Sequence, residues 1–149
     1  MQFRTKRIKL VAVVVGALTA TTLGLSATPA SAAEVHCANF TTLPRGGLYI
    51  HRPSTTPESG NYNCVVVRGD HNWAVRALQE TLNTCYKQGI QEDSDFGPAT
   101  EQAVKNVQTA INRTWNAGLS VDGRFGPLTS SWFSFKQFKA DGTATDGCW

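Results

Sequence analysis

Asp93-Ser94-Asp95-Phe96-Gly97-Pro98-Ala99-Thr100 and Asp122-Gly123-Arg124-Phe125-Gly126-Pro127-Leu128-Thr129 lie 29 residues apart and agree, by identity or small-for-small exchange, at six of eight positions. Each octet reads as a turn feeding a helix. Asp93 and Asp122 can accept backbone donors within the turn, and the following Phe supplies an apolar plug. Gly97 and Gly126 permit tight passage, and Pro98 and Pro127 suit the first helical position, where the missing N–H costs nothing. Thr100 and Thr129 fall among the unsatisfied amides of the first turn.

Working outward, apolar spacing predicts three amphipathic helices. The first spans about Trp73 to Tyr86, with Val75, Leu78, Leu82 and Cys85 on one stripe and Arg76, Gln79, Glu80 and Asn83 on the polar face. Asp70 or Asn72 is its candidate cap, and Gly89 lies beyond its end. The second opens at Pro98 and buries Ala103, Val104, Val107 and Ile111. The third opens at Pro127 and shows Leu128, Trp132, Phe135 and Phe138, with Trp132 in the core. Upstream, Pro44, Pro53, Pro57 and the Gly46-Gly47 pair interrupt every long period. Only Leu48-Tyr49-Ile50 and Val65-Val66-Val67 look strand-like. The fold class expected is therefore mainly α: a compact three-helix domain with an internal two-fold-like repeat and an irregular, disulfide-pinned N-terminal arm.

Arg4, Lys6, Arg7 and Lys9, then an apolar run from Leu10 to Leu25, then Ala30-Ser31-Ala32 make the three-part layout of a secretory signal peptide. An uncleaved transmembrane helix is the rival reading. The expected division is 1–32 signal peptide, 33–67 arm and 68–149 helical domain. Four of the 14 Lys and Arg belong to the leader, which leaves ten against 11 acids and a net charge near −1. That balance, with no basic cluster, argues against nucleic-acid binding, which needs cations to neutralise phosphates.

Cys37, Cys64, Cys85 and Cys148 are an even set in a chain bound for an oxidising compartment, and two disulfides follow, in one of three pairings. No Cys-x-x-Cys or His-x-x-x-His spacing suggests zinc, so neither a metal nor a cofactor is expected.

Taken together, the motifs resemble the three-helix peptidoglycan-binding domain family found beside bacterial amidases and carboxypeptidases. The positions that match are Val75, Leu78, Gln79 and Leu82, the first octet, Ala103, Val104, Val107 and Gln108, and then Gly118, Leu119, Asp122 and Gly123. Three departures stand out. Ser94 replaces the usual Gly, Val107 replaces the usual Phe, and the stretch from Thr109 to Ala117 reads as surplus that lengthens the second helix and carries Trp115.

The resemblance implies noncovalent binding of cell-wall peptidoglycan, through glycan or stem peptide, by a secreted monomer with no membrane contact after leader removal. Candidate ligand contacts are Asp95, Phe96, Trp115, Arg124 and Phe125. Four tryptophans suit carbohydrate stacking; Trp115, outside the apolar stripes, is the one most readily placed at the surface, while Trp73 and Trp149 are left open between surface and core. Asp93, Asp95 and Asp122 could pose as a glycosidase carboxylate pair. Asp93 and Asp122 hold equivalent turn positions, which favours capping instead, and no catalytic residue is expected. The alternative function is an interaction or inhibitor protein that acts on another secreted protein, such as a wall hydrolase.

Overall fold

The computed structural model describes residues 33–58 and 60–149. The signal-peptide assignment falls on 1–32, outside the described residues.

Helix α1 (Trp73–Tyr86) begins where Asn72 takes an extended backbone and its side chain accepts from the amides of Ala74 and Val75. Its apolar stripe of Val75, Leu78 and Leu82 is fully buried. Lys87 turns left-handed at its end and returns its N–H to Asn83. Helix α2 (Pro98–Trp115) starts on the proline of the first octet and closes on Asn116, also left-handed. Ala103, Val104, Val107 and Ile111 are buried as their spacing requires. Nine residues separate Gln79 from Gly89 and nine separate Gln108 from Gly118, so each glutamine stands at the same distance from the glycine that follows its helix. Relative to α1, the extra length of α2 lies at its N-terminal end.

The mainly-α expectation is overturned by a four-stranded antiparallel sheet in the order β1-β2-β3-β4. Strands β1 (Asn39–Arg45) and β2 (Leu48–Ser54) occupy the supposedly irregular arm. Arg45 pairs with Leu48, so Gly46-Gly47 is a two-residue hairpin loop, with φ of 58° and 83°. Two consecutive left-handed residues match the twist of a tight hairpin, and glycine supplies them without steric cost. Pro44 is tolerated because β1 is an edge strand.

The third helix also fails as read. Helix α3 (Pro127–Ser131) has five residues, and the chain then extends into β3 (Lys136–Phe138). Phe133 and Phe135 are buried while Ser134 between them is exposed, a period of two rather than 3.6. The backbone of Phe135 exchanges both hydrogen bonds with Trp149, just beyond β4 (Ala144–Cys148). Leu128 and Trp132 face solvent instead of the core. A two-fold-like arrangement does not result, since one octet opens an 18-residue helix and the other a five-residue one.

One core joins sheet and helices: Ile50, Val66, Val75, Leu78, Leu82, Phe96, Val104, Phe125, Phe133 and Phe135 share a single cluster. Phe125 meets Phe133 and Phe135 edge-on, the arrangement that ring quadrupoles favour. Disulfides pair Cys37 with Cys64 and Cys85 with Cys148. The first holds the segment Val35 to Cys37 beside Val65, and the second ties β4 to α1.

Candidate functional site

Gln79, expected on a polar face, is buried and organises the first octet. Its Nε2 donates to the Asp93 carboxylate (2.8 Å), the Asp95 carbonyl (3.0 Å) and the Thr100 hydroxyl (3.1 Å), while its Oε1 accepts from Ser94 N–H (2.9 Å). Gln108 treats the second octet alike, donating to Asp122 (3.0 Å), the Arg124 carbonyl (3.0 Å) and Thr129 (3.2 Å) and accepting from Gly123 N–H (2.9 Å). Asn83 grips the backbone of Ile90 from both sides, as Asn112 grips Leu119. A buried carboxamide fits this role because one end donates and the other accepts, which lets a single side chain satisfy the inward-facing polar groups of a turn. The sequence carried the clue, a Gln placed 14 residues before each turn aspartate, but glutamine on a helix is ordinarily read as a solvent-facing residue.

The turn aspartates are occupied by this framework. Asp93 accepts from the Asp95 amide and from Gln79, which holds its carboxyl below the ordinary range, the backbone bond being the larger cause. Asp122 accepts from the Arg124 amide and from Gln108. Ser94 and Gly123 take the left-handed conformation, at φ of 67° and 76°. A Cβ on Gly123 would lie 2.6 Å from Glu101 Cγ, so here only glycine fits.

The residues singled out for ligand contact separate into two groups. Phe96 and Phe125 are fully buried, as core plugs, and have no surface to offer a ligand. Asp95, Arg124 and Trp115 are accessible. Asp95 stands 3.9 Å from His71 Nδ1, and their backbones form an isolated antiparallel bridge. Arg124 bonds Glu34, which draws the Glu34 carboxyl below its ordinary pKa and raises that of the guanidinium. Trp115 projects from the last turn of α2 with 67 % of its surface exposed. Gly97, Pro98, Gly126 and Pro127 stand at the N-termini of α2 and α3.

Sequence reasoning missed a cleft of about 680 Å³ formed where α1 meets the sheet. One wall is a ladder of rings: Phe40, His51 and Phe138, from β1, β2 and β3, stack with centroids 4.2 and 4.0 Å apart. They are diagonal neighbours on one sheet face, a relation that exists only once the register is known. Trp73 and Arg76 from α1 and Ser94 from the first octet also line it. Trp73 is 63 % exposed despite opening the helix. Arg76 is held by Glu80 (2.9 Å) and Glu92 (3.3 Å), and it also donates to the Glu92 carbonyl. Burial holds the His51 imidazole below its ordinary 6.5, against an upward pull from Glu80 and with a downward push from Lys136.

Among the described residues, no group of three His, Cys, Asp or Glu is placed to hold a metal ion. No helix among them is long and apolar enough to cross a membrane.

The fold and site define a class of small, disulfide-braced domain with polar turns locked from within and an open aromatic cleft. Residues 72–132 match the family model of the Putative peptidoglycan binding domain. The match covers α1, α2, α3 and both octets, while β1 to β4 lie outside it. No curated protein and no solved structure matches the chain significantly.

Proposed function

We propose that the protein is a secreted, non-catalytic module that binds cell-wall peptidoglycan noncovalently. The observation that carries this reading is the family match over 72–132, which takes in both turn-to-helix entries. Two further features support it. Both disulfides suit an oxidising compartment outside the cell. The turn carboxylates of Asp93 and Asp122 are committed to backbone and glutamine donors, an arrangement suited to holding shape rather than transferring protons.

Asp95 and Arg124, opposite in charge at matched turn positions, are suited to the ionised groups of the stem peptide, and Trp115 to an apolar face. Of the five contacts expected from sequence, these three form the proposed set.

Sedimentation with insoluble peptidoglycan tests the reading. The chain should pellet with wall well above its level with cellulose, release no dye from labelled wall, and be recovered from the medium with Ala33 as its first residue. Pelleting no greater than with cellulose rejects wall binding. Stoichiometric recovery of a wall hydrolase in that case would favour the protein-interaction alternative.

A further inference from the structure

We propose that the cleft between α1 and the sheet seats an uncharged N-acetylated hexosamine ring of a glycan strand, with its apolar face stacked on Trp73. The identity of the sugar rests on the wall-binding reading; the shape and chemistry of the cleft do not.

The cleft offers an aromatic surface that is open to solvent. At about 680 Å³ it lies within the range of small-ligand sites, which combine apolar and aromatic walls with a few polar groups. His51 stacks between Phe40 and Phe138, so both of its faces and one face of each phenylalanine are already covered. Trp73 differs: it lines the same cleft and leaves 63 % of its surface open to solvent. A large exposed indole at the first position of a helix gains nothing for the core, and its flat face gives wide apolar contact with few rotors to immobilise. A pyranose is the complementary shape, with C–H bonds on one face and hydroxyls around its edge.

Charge then selects among wall components. The two charges that line the cleft, Arg76 and Glu80, are paired with each other, and Glu92 and Lys136 stand outside the lining. The imidazole of His51 sits among rings, where its neutral form is favoured. An ionised stem peptide would need an unbalanced partner of opposite sign in such a site, because a charge moved out of water without one is heavily penalised. A neutral sugar needs only hydrogen-bonding groups at the rim. The Glu80 carboxylate and the Arg76 guanidinium are there, and the Ser94 hydroxyl lies close by.

The test uses the oxidised chain and two soluble probes, tri-N-acetylchitotriose and a stem tetrapeptide, followed by the NMR shift of the Trp73 indole N–H and by intrinsic fluorescence. The trisaccharide should shift that resonance and the peptide should not. Trp73→Ala should weaken trisaccharide binding about tenfold or more, the scale of one lost aromatic contact. Leu128→Ala, an exposed change away from the cleft, should bind as the parent does. An unshifted Trp73 resonance, or equal affinity in Trp73→Ala, overturns the cleft assignment, and continued sedimentation with wall would then leave the wall-binding reading intact. Trisaccharide binding that depends on Trp73 without any sedimentation would support the cleft and reject the wall. Loss of both rejects both.

Discussion

Replacing Gln108 by leucine tests how the octet turns are held. The side chain is 1 % exposed and its carboxamide serves four groups. Leucine has similar volume, so the core stays filled and the effect reports the polar bonds. Asp122 is exposed and can turn to water, and Thr129 still has the Arg124 carbonyl within 3.4 Å. The Gly123 amide is buried and has no such recourse. A stranded buried amide costs about 1–3 kcal/mol, and the weakened carbonyl adds about 1 kcal/mol. A net loss of about 2–4 kcal/mol follows, which for a domain of this size lowers Tm by roughly 10–15 °C. Urea denaturation with both disulfides intact, followed by circular dichroism, measures it. Gln108→Glu adds a sign to the test. It keeps an acceptor for Gly123 but turns a second oxygen toward Asp122 and the Arg124 carbonyl, so the introduced carboxyl has a raised pKa in the folded state. Its stability should be highest at acid pH and fall as pH rises through that pKa. A Gln108→Leu variant within about 0.5 kcal/mol of the parent would refute the account, since surface changes alone have effects of that size.

Other consequences are open to similar measurement. Ser94→Gly should stabilise by about 0.5–1 kcal/mol by relieving a left-handed non-glycine residue, whereas Gly123→Ala should cost about 2 kcal/mol through its contact with Glu101; chemical denaturation separates the two. Because burial lowers the His51 pKa, the unfolded chain binds that proton first. Stability should therefore be full above pH 6.5 and fall as the medium is acidified below it, and the decline should flatten in His51→Phe. Removing Cys85–Cys148 by paired serine substitution should cost about 4 kcal/mol from the 63-residue separation, and removing Cys37–Cys64 about 3.5 kcal/mol from 27, with calorimetry giving the order.

The helical half was readable from the chain because its determinants are local. Asn72 as a cap, Pro98 as a start and the stripe through Val75, Leu78 and Leu82 each act within a few residues. The hairpin was missed because Gly46-Gly47 was read as an interruption, although two glycines between short extended runs also specify the tightest hairpin loop. The third helix was misread because positions 128, 132, 135 and 138 fit helical steps, while the buried pair Phe133 and Phe135 obeys strand alternation. Phe96 and Phe125 were given to a ligand when the core needed them. The cleft was beyond reach for a different reason. Its ring ladder joins three strands, one of them more than 80 residues downstream of the other two, and no local pattern announces that register.

The two sides of the cleft have separate origins along the chain. Trp73, Arg76 and Glu80 fall inside the stretch matched to the family, and Phe40, His51 and Phe138 fall outside it. A transplant of residues 72–132 into another protein would carry the locked turns but leave the stacked rings behind, and with them half the recognition surface. Whatever selectivity the cleft confers belongs to this chain's combination of sheet and helices, and an exchangeable cassette cut at the family's limits would not inherit it.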